Sequence, residues 1–347
     1  MHMSDALLSP AVGGTFWAGS MGLIGYCAKK LKERMDERMI PLMGVLGAFI
    51  FAAQMINFTI PATGSSGHLG GGMILAALLG PYAAFIVIAS VLTIQSLFFA
   101  DGGILALGCN IWNLGVYPCF IAYPLIYKVI VRPGSGPKRL TAAAILSAVA
   151  GLQLGAFSVV LQTVLSGRSE LPFGTFVYMM LPVHLAIGLV EGFVTAGVIN
   201  FVKTARPEIL ESVSASKDLS PRYSLRNVLA VFLVLAVLTG GALSWFASSN
   251  PDGLEWSIEK VFGKPELPEA EHGISLLLSK VQNRTAFLPD YDFKNKNEAP
   301  ADAESGGEWW PNIGEGTSVS GILGSAMVLG MIILLGMGIK VFRTRKA

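Results

Sequence analysis

Charge is what this 347-residue chain has least of: Asp, Glu, Lys and Arg make up 14% of it, against 52% apolar residues, and the mean hydropathy is strongly positive. Soluble domains carry about a quarter of their residues as charges, so this composition excludes one and indicates a polytopic membrane protein. Cysteine is scarce too. Cys27, Cys109 and Cys119 stand singly in apolar runs without C-x-x-C spacing, which supports neither a disulfide framework nor a thiolate metal site. A G-x-x-x-x-G-K-[ST] loop, a G-x-S-x-G elbow and an H-E-x-x-H pair are all missing, so the chain has no ATP site of its own and no familiar hydrolase constellation. Basic stretches interleaved with aromatics, the mark of a nucleic-acid surface, do not occur. The net charge of +2 therefore speaks to topology.

What is present begins at Met1 and His2. A free α-amine, the next amide nitrogen and that residue's imidazole can close a five-membered and then a six-membered chelate ring around one cation. Three nitrogens then lie in one plane. Binding through the amide strips its proton, which favours Ni²⁺ or Cu²⁺. Removal of the initiator is normally limited to small second residues, so His2 favours retention of Met1. A cleaved secretory signal is not expected either, because Lys29, Lys30 and Lys32 follow the first apolar run rather than precede it.

Alternation of apolar runs and basic clusters predicts an all-α membrane protein. It has a seven-span core with a re-entrant glycine-rich loop, and two additional spans flanking an extracytoplasmic loop. Core spans fall at about 13–28, 39–58, three within 71–127 (the first short), 140–165 and 173–202. The breaks within 71–127 are Gly80-Pro81 and Asp101-Gly102-Gly103. Residues 1–205 form the core and 206–226 a cytoplasmic linker. The remainder, 227–347, supplies a span at 227–246, an acidic outer loop at 248–317 and a span at 318–341. Basic clusters at Lys29 to Arg38, Lys128 to Arg139, Lys203 to Arg226 and Lys340 to Lys346 are then all cytoplasmic. This predicts a multi-pass protein of the plasma membrane, N-terminus outside and C-terminus inside.

The segment 61–72, PATGSSGHLGGG, holds five glycines and cannot be a regular membrane helix. Non-helical backbone at membrane depth is tolerated where protein or a cavity surrounds it. It is expected to present His68 to Met1 and His2 as a further ligand. Asp101, Asn110 and Asn113 are polar groups in or beside apolar runs. For Asp101 the alternatives are capping the next helix or hydrogen-bonding a metal-ligating imidazole. His184 and Glu191, seven residues apart on one helical face, either pair with each other or support the site. Gly14, Ala18 and Gly22 recur every fourth residue, a face for internal packing or for docking a partner. The outer loop either gathers cations and helps open the site, or is a solvated domain kept soluble by its charge.

MHMSDALLSP at the start, GSSGHLGGG at 64–72, DGGILALGCNIWNLG at 101–115 and HLAIGLVEGFVT at 184–195 resemble the CbiM/NikM substrate-binding subunits of energy-coupling-factor transporters for cobalt and nickel. PDGLEW at 251–256 resembles the NikN component. The chain is thus similar to a NikM–NikN fusion. Met3, Ala6 and Leu7 depart from the family's usual start, M-H-I-x-D/E-G-F-L. The resemblance implies square-planar coordination through the Met1 amine, the His2 amide and imidazole, and an imidazole nitrogen of His68. It also implies work with a transmembrane coupling subunit (CbiQ/NikQ-like) and cytoplasmic ATPases (CbiO/NikO-like). Gly14, Ala18 and Gly22 lie where such families dock the coupling subunit. The expected activity is capture of Ni²⁺ for ATP-dependent import, with Co²⁺ as alternative, no enzyme chemistry and no cofactor beyond the transported ion. An ion-coupled carrier or channel through Asp101, His184 and Glu191 is the rival of a different class, ahead of a membrane enzyme using His184 and Glu191 as acid and base.

Overall fold

The structure, a computed structural model, describes residues 2–34, 36–132, 134–168, 170–215, 225–268, 273–294, 311 and 313–344. Met1, the first of the expected ligands, lies outside the described residues. So does most of the outer loop beyond 294.

Apolar sequence gives helices wherever the chain must hide its own amides from hydrocarbon. They are α1 (Pro10–Arg34), α2 (Met39–Gln54), α3 (Gly72–Leu79), α4 (Pro81–Phe99), α5 (Leu107–Ile130), α6 (Pro137–Leu165) and α7 (Phe173–Ala205). After α7 come α8 (Pro207–Ala215), α9 (Arg226–Gly241), α10 (Gly253–Phe262), α11 (Ile274–Thr285) and α12 (Glu315–Thr344). Helices α4, α5, α6, α7 and α12 are each long and apolar enough to cross a membrane; α2 and α9 are apolar but shorter. This is an all-α polytopic membrane protein.

Sequence and structure part company at several boundaries. Helix α2 stops at Gln54, short of the expected 58, because Phe58–Ile60 pairs as β1 with β2 (Ser65–Gly67) in an antiparallel hairpin, Thr59 opposite Ser66. The glycine-rich segment is therefore half hairpin and half loop. Helix α3 has only eight residues, about 12 Å, too short to span about 30 Å of hydrocarbon. The expected short crossing is a half-helix that continues where the descending loop ends. Gly80 (φ 78°) turns the chain at the far end, beside Val213 of α8, and Pro81 opens α4. The expected linker 206–226 contains α8. In α5, Pro118 and Pro124 withhold two amide donors, and the helix widens into π turns from Trp112 to Tyr127.

Small residues let helices close on one another. A Cβ on Gly108 of α5 would sit 2.5 Å from the Trp17 amide nitrogen of α1, and one on Gly44 of α2 2.7 Å from Leu329 of α12. The Ser325 hydroxyl of α12 donates to the Ala48 carbonyl of α2. The last helix is thus packed into the core helices.

Basic residues collect at one end of the bundle. Lys340 reaches Glu37 at 2.7 Å and Lys203 donates to the Ser135 carbonyl. At the opposite end the N-terminal strap, the hairpin, the α4–α5 connection and the outer segment converge.

Candidate metal centre

The strap entering α1 lies in the α4–α5 connection. Met3 donates its amide to Asn110 Oδ1 (2.8 Å), and its carbonyl accepts from Asn110 Nδ2 (3.2 Å) and the Gly103 amide (3.0 Å). Asp5 Oδ1 accepts from the Ala106 amide at 2.9 Å. Met3, Ala6 and Leu7, the positions that depart from the family's start, are buried anchors of the strap. Asn110 therefore grips the backbone beside His2. Asn113 pairs with Gln162 on α6.

His2 and His68 meet. Their rings stack with centroids 4.8 Å apart and planes 24° from parallel. His2 Nδ1–H donates to Asp101 Oδ1 at 2.7 Å, while Nε2 is buried and without a hydrogen-bond partner among the described residues. Asp101 thus bonds a candidate ligand, and its second oxygen accepts from the Tyr291 hydroxyl at 2.5 Å. Burial opposes its ionisation, but the nearby His2 and the hydrogen bonds from His2 and Tyr291 hold its carboxyl down at about 2.

His68 is 8% exposed, and its Nδ1–H donates to the Leu69 carbonyl at 3.1 Å. That bond leaves the lone pair on Nε2. Burial first, then the neighbouring His2, lowers its pKa to about 3. It therefore stays neutral, as a metal ligand must.

The loop after β2 descends along α7. Glu191 accepts from the Gly70 amide (2.7 Å) and the Gly71 amide (3.1 Å), and Gln54 donates to the Gly70 carbonyl (2.8 Å). His184 lies about 10 Å higher on the helix and takes a different partner: Nδ1–H donates to the Met180 carbonyl. The seven-residue spacing thus measures the loop's depth, and it is too long for the two side chains to pair.

Above the hairpin sits PDGLE, and each residue has a physical task. The Pro251 carbonyl accepts from the Ser66 amide at 2.8 Å. Asp252 caps α10 by accepting from the Leu254 and Glu255 amides, and Glu255 closes the capping box on the Asp252 amide. Gly253 packs where a Cβ would lie 2.8 Å from Val183 and 3.1 Å from His184 Cε1. Leu254 is buried. Asp252 Oδ2 also stands 3.9 Å from His68 Nε2. Trp256 donates to the Thr63 carbonyl.

Further along the outer segment, Gln282 of α11 donates to the Ser96 and Gly102 carbonyls on either side of Asp101. Asp290 and Tyr291 follow with φ of 50° and 61°. Two consecutive non-glycine residues in the left-handed region cost about 1–3 kcal/mol each, a strain kept where it positions a group. Here it delivers the Tyr291 hydroxyl to Asp101. Sequence reading missed Asp252, Gln282 and Tyr291 as site residues; only the PDGLE motif gave a signal.

On α1, Gly14, Ala18 and Gly22 face outward, and a Cβ on either glycine would meet open space. Internal packing falls to the opposite face, where Trp17 donates to the Ile104 carbonyl and Ser20 to the Gly108 carbonyl.

Among the described residues no three His, Cys, Asp or Glu side chains converge as a metal cluster. Main-chain nitrogen is the donor that could join the two imidazoles in holding an ion. Residues 2–209 match the family described as "Cobalt uptake substrate-specific transmembrane region", CbiM, and residues 226–341 match the PDGLE domain. A chain of Archaeoglobus fulgidus, provisionally named a fused nickel transport protein NikMN, is 32% identical over 335 residues, 95% of this chain and 96% of that one. The cobalt transport protein CbiM of Geobacter sulfurreducens is 28% identical, covering 79% of each chain. A crystal structure of a truncated transition metal transporter superposes with a TM-score of 0.53 at 28% identity, covering 59% of this chain and 99% of that one.

Proposed function

The chain belongs to the CbiM family, extended by a PDGLE domain, and on that premise we propose that it is the substrate-capture component of an ATP-dependent importer of nickel ions. The observation that carries this reading is the stacked pair His2 and His68, one from the N-terminal strap and one from the glycine-rich loop, held side by side. Two imidazoles, the His2 amide and the Met1 amine make a four-nitrogen set, whose planar preference favours Ni²⁺; Co²⁺ is the alternative.

Capture has a chemical requirement at His2. A six-membered ring that includes its own amide closes only through Nδ1, the atom now bonded to Asp101. Loading therefore exchanges the carboxylate for the ion at Nδ1: the Nδ1 and amide protons leave to water, and Nε2 takes up a proton that it donates to Asp101 once the ring turns. The strap held by Asn110 and the loop held by Glu191 keep the donors in place during that exchange. Energy comes from a transmembrane coupling subunit and cytoplasmic ATPases. The coupling subunit docks on the outward face of Gly14, Ala18 and Gly22. The basic end of the bundle faces the cytoplasm, and the N-terminus and outer segment lie outside the plasma membrane.

The test is Ni²⁺ affinity of purified protein with a native N-terminus beside a version carrying one extra residue before Met1. The extension is expected to weaken binding more than a hundredfold; equal affinity overturns the reading. Uptake into vesicles that persists without any ATPase would favour an ion-coupled carrier.

A further inference from the structure

The outer segment and the histidine loops enclose a cavity of about 280 Å³. Six carboxylates line it. Asp101 and Asp252 lie beside the histidines, Asp5 is held by the Ala106 amide, Glu255 is half-buried, and Glu266 and Asp290 are exposed. Among the described residues no lysine or arginine lines it. His2 belongs to its floor, with a side chain only 6% exposed and Nε2 unpartnered among the described residues. A buried ring nitrogen without a partner among the described residues, at the bottom of an acidic cavity, marks a polar site that the chain leaves unsatisfied.

The carboxylates are too dispersed to ligate one ion directly, since no three of the described acidic or histidine side chains converge. An ion within the cavity would keep its water. A hexahydrated divalent ion is roughly 7 Å across, which such a space admits, and its polarised water hydrogens are donors for carboxylate oxygens. The acids also press on one another. Burial, then Asp252, raises the Glu255 carboxyl; burial, then Asp101 and Glu266, raises that of Asp290. A cation relieves that repulsion.

We propose that this cavity is an entry vestibule that binds a hydrated divalent cation through its water shell, with Glu255, Glu266 and Asp290 of the outer segment as the gathering residues. The assignment rests on the reading of His2 and His68 as the metal site, where the ion then exchanges water for nitrogen. Focusing of this kind raises association rates, more strongly at low ionic strength.

The probe is hexaamminecobalt(III), which has the size of a hydrated divalent ion and does not release its ligands. With the full chain at low ionic strength it is expected to slow Ni²⁺ association without displacing Ni²⁺ already bound. The triple variant E255Q/E266Q/D290N keeps an acceptor for the capping box and an Asn at the left-handed position. It is expected to associate with Ni²⁺ about tenfold more slowly, with an unchanged dissociation rate and no response to the ammine complex. Equal association rates in variant and wild type, a defect confined to dissociation, or no effect of the complex on wild type would each overturn the vestibule. Should the variant not fold, competition in wild type decides. If wild type binds no Ni²⁺ tightly, the histidine reading fails by itself; calorimetry with hexaamminecobalt(III) then decides the vestibule, binding supporting it and its absence overturning it.

Discussion

Asp252 Oδ2 lies 3.9 Å from His68 Nε2, so the residue that caps the first outer helix also faces a ring nitrogen of the proposed ligand. The two roles separate by substitution. Asp252→Asn keeps an N-cap acceptor and removes the charge, and is expected to lower Ni²⁺ affinity about tenfold with little change in thermal stability. Asp252→Ala should add a stability loss of about 1 kcal/mol. Chelator competition and thermal unfolding in detergent report the two effects.

Glu191 satisfies two buried amides of the descending loop. Glu191→Ala leaves both unpaired, at about 1–3 kcal/mol each, while Glu191→Gln retains one acceptor and should lose about half as much. Hydrogen exchange at Gly70 and Gly71 should quicken in the same order. A Glu191→Ala variant with protected loop amides and full Ni²⁺ affinity would refute the assignment.

Gly103 meets the strap so closely that a Cβ would overlap Asp5 Oδ1. Gly103→Ala should break the Asp5–Ala106 bond and shift the strap. Faster proteolysis near the N-terminus and weaker Ni²⁺ binding are expected, whereas the same substitution at Gly14, in open space, should leave both unchanged.

Much of this site was legible in the sequence, and the reasons are local. His2 carries its chelating amide with it, and the glycines around His68 forbid a helix, so both announced themselves. Glu191 and Asp101 stood out as acids among apolar residues. What escaped was partner identity. Nothing local indicates that Tyr291 or Gln282 reaches the Asp101 connection, because those contacts depend on how a non-periodic outer segment folds back over the core. The hairpin was hidden for a related reason: Phe58, where β1 begins, reads as the end of an apolar helix until its pairing with Gly67 is known.

Glu255 gives a pH prediction. Burial and then Asp252 raise its carboxyl above the ordinary 4.5. The folded chain then holds a proton that the unfolded chain releases, so stability present below pH 4.5 declines as pH rises toward neutrality. The slope is of order 1 kcal/mol per pH unit. Glu255→Gln should flatten this part of the profile, measured by thermal midpoints in metal-free buffer.

The open face of α1 predicts a variant that binds but does not transport. Gly22→Leu fills space that none of the described residues occupies, so Ni²⁺ affinity should stay within twofold of wild type. Energised uptake with the coupling subunit should fall at least tenfold, and co-purification of that subunit should fall with it. Normal uptake would remove this face from consideration as the docking surface.

Because α9 and α12 hold the outer segment within the same polypeptide as His2 and His68, the cover and the site it closes are always present one to one. A separate subunit would meet its site at a rate set by its abundance in the membrane. A tethered cover works instead at an effective concentration on the order of millimolar, set by geometry alone. The contacts between outer segment and core thereby become properties of a single molecule, indifferent to how much of it the cell makes.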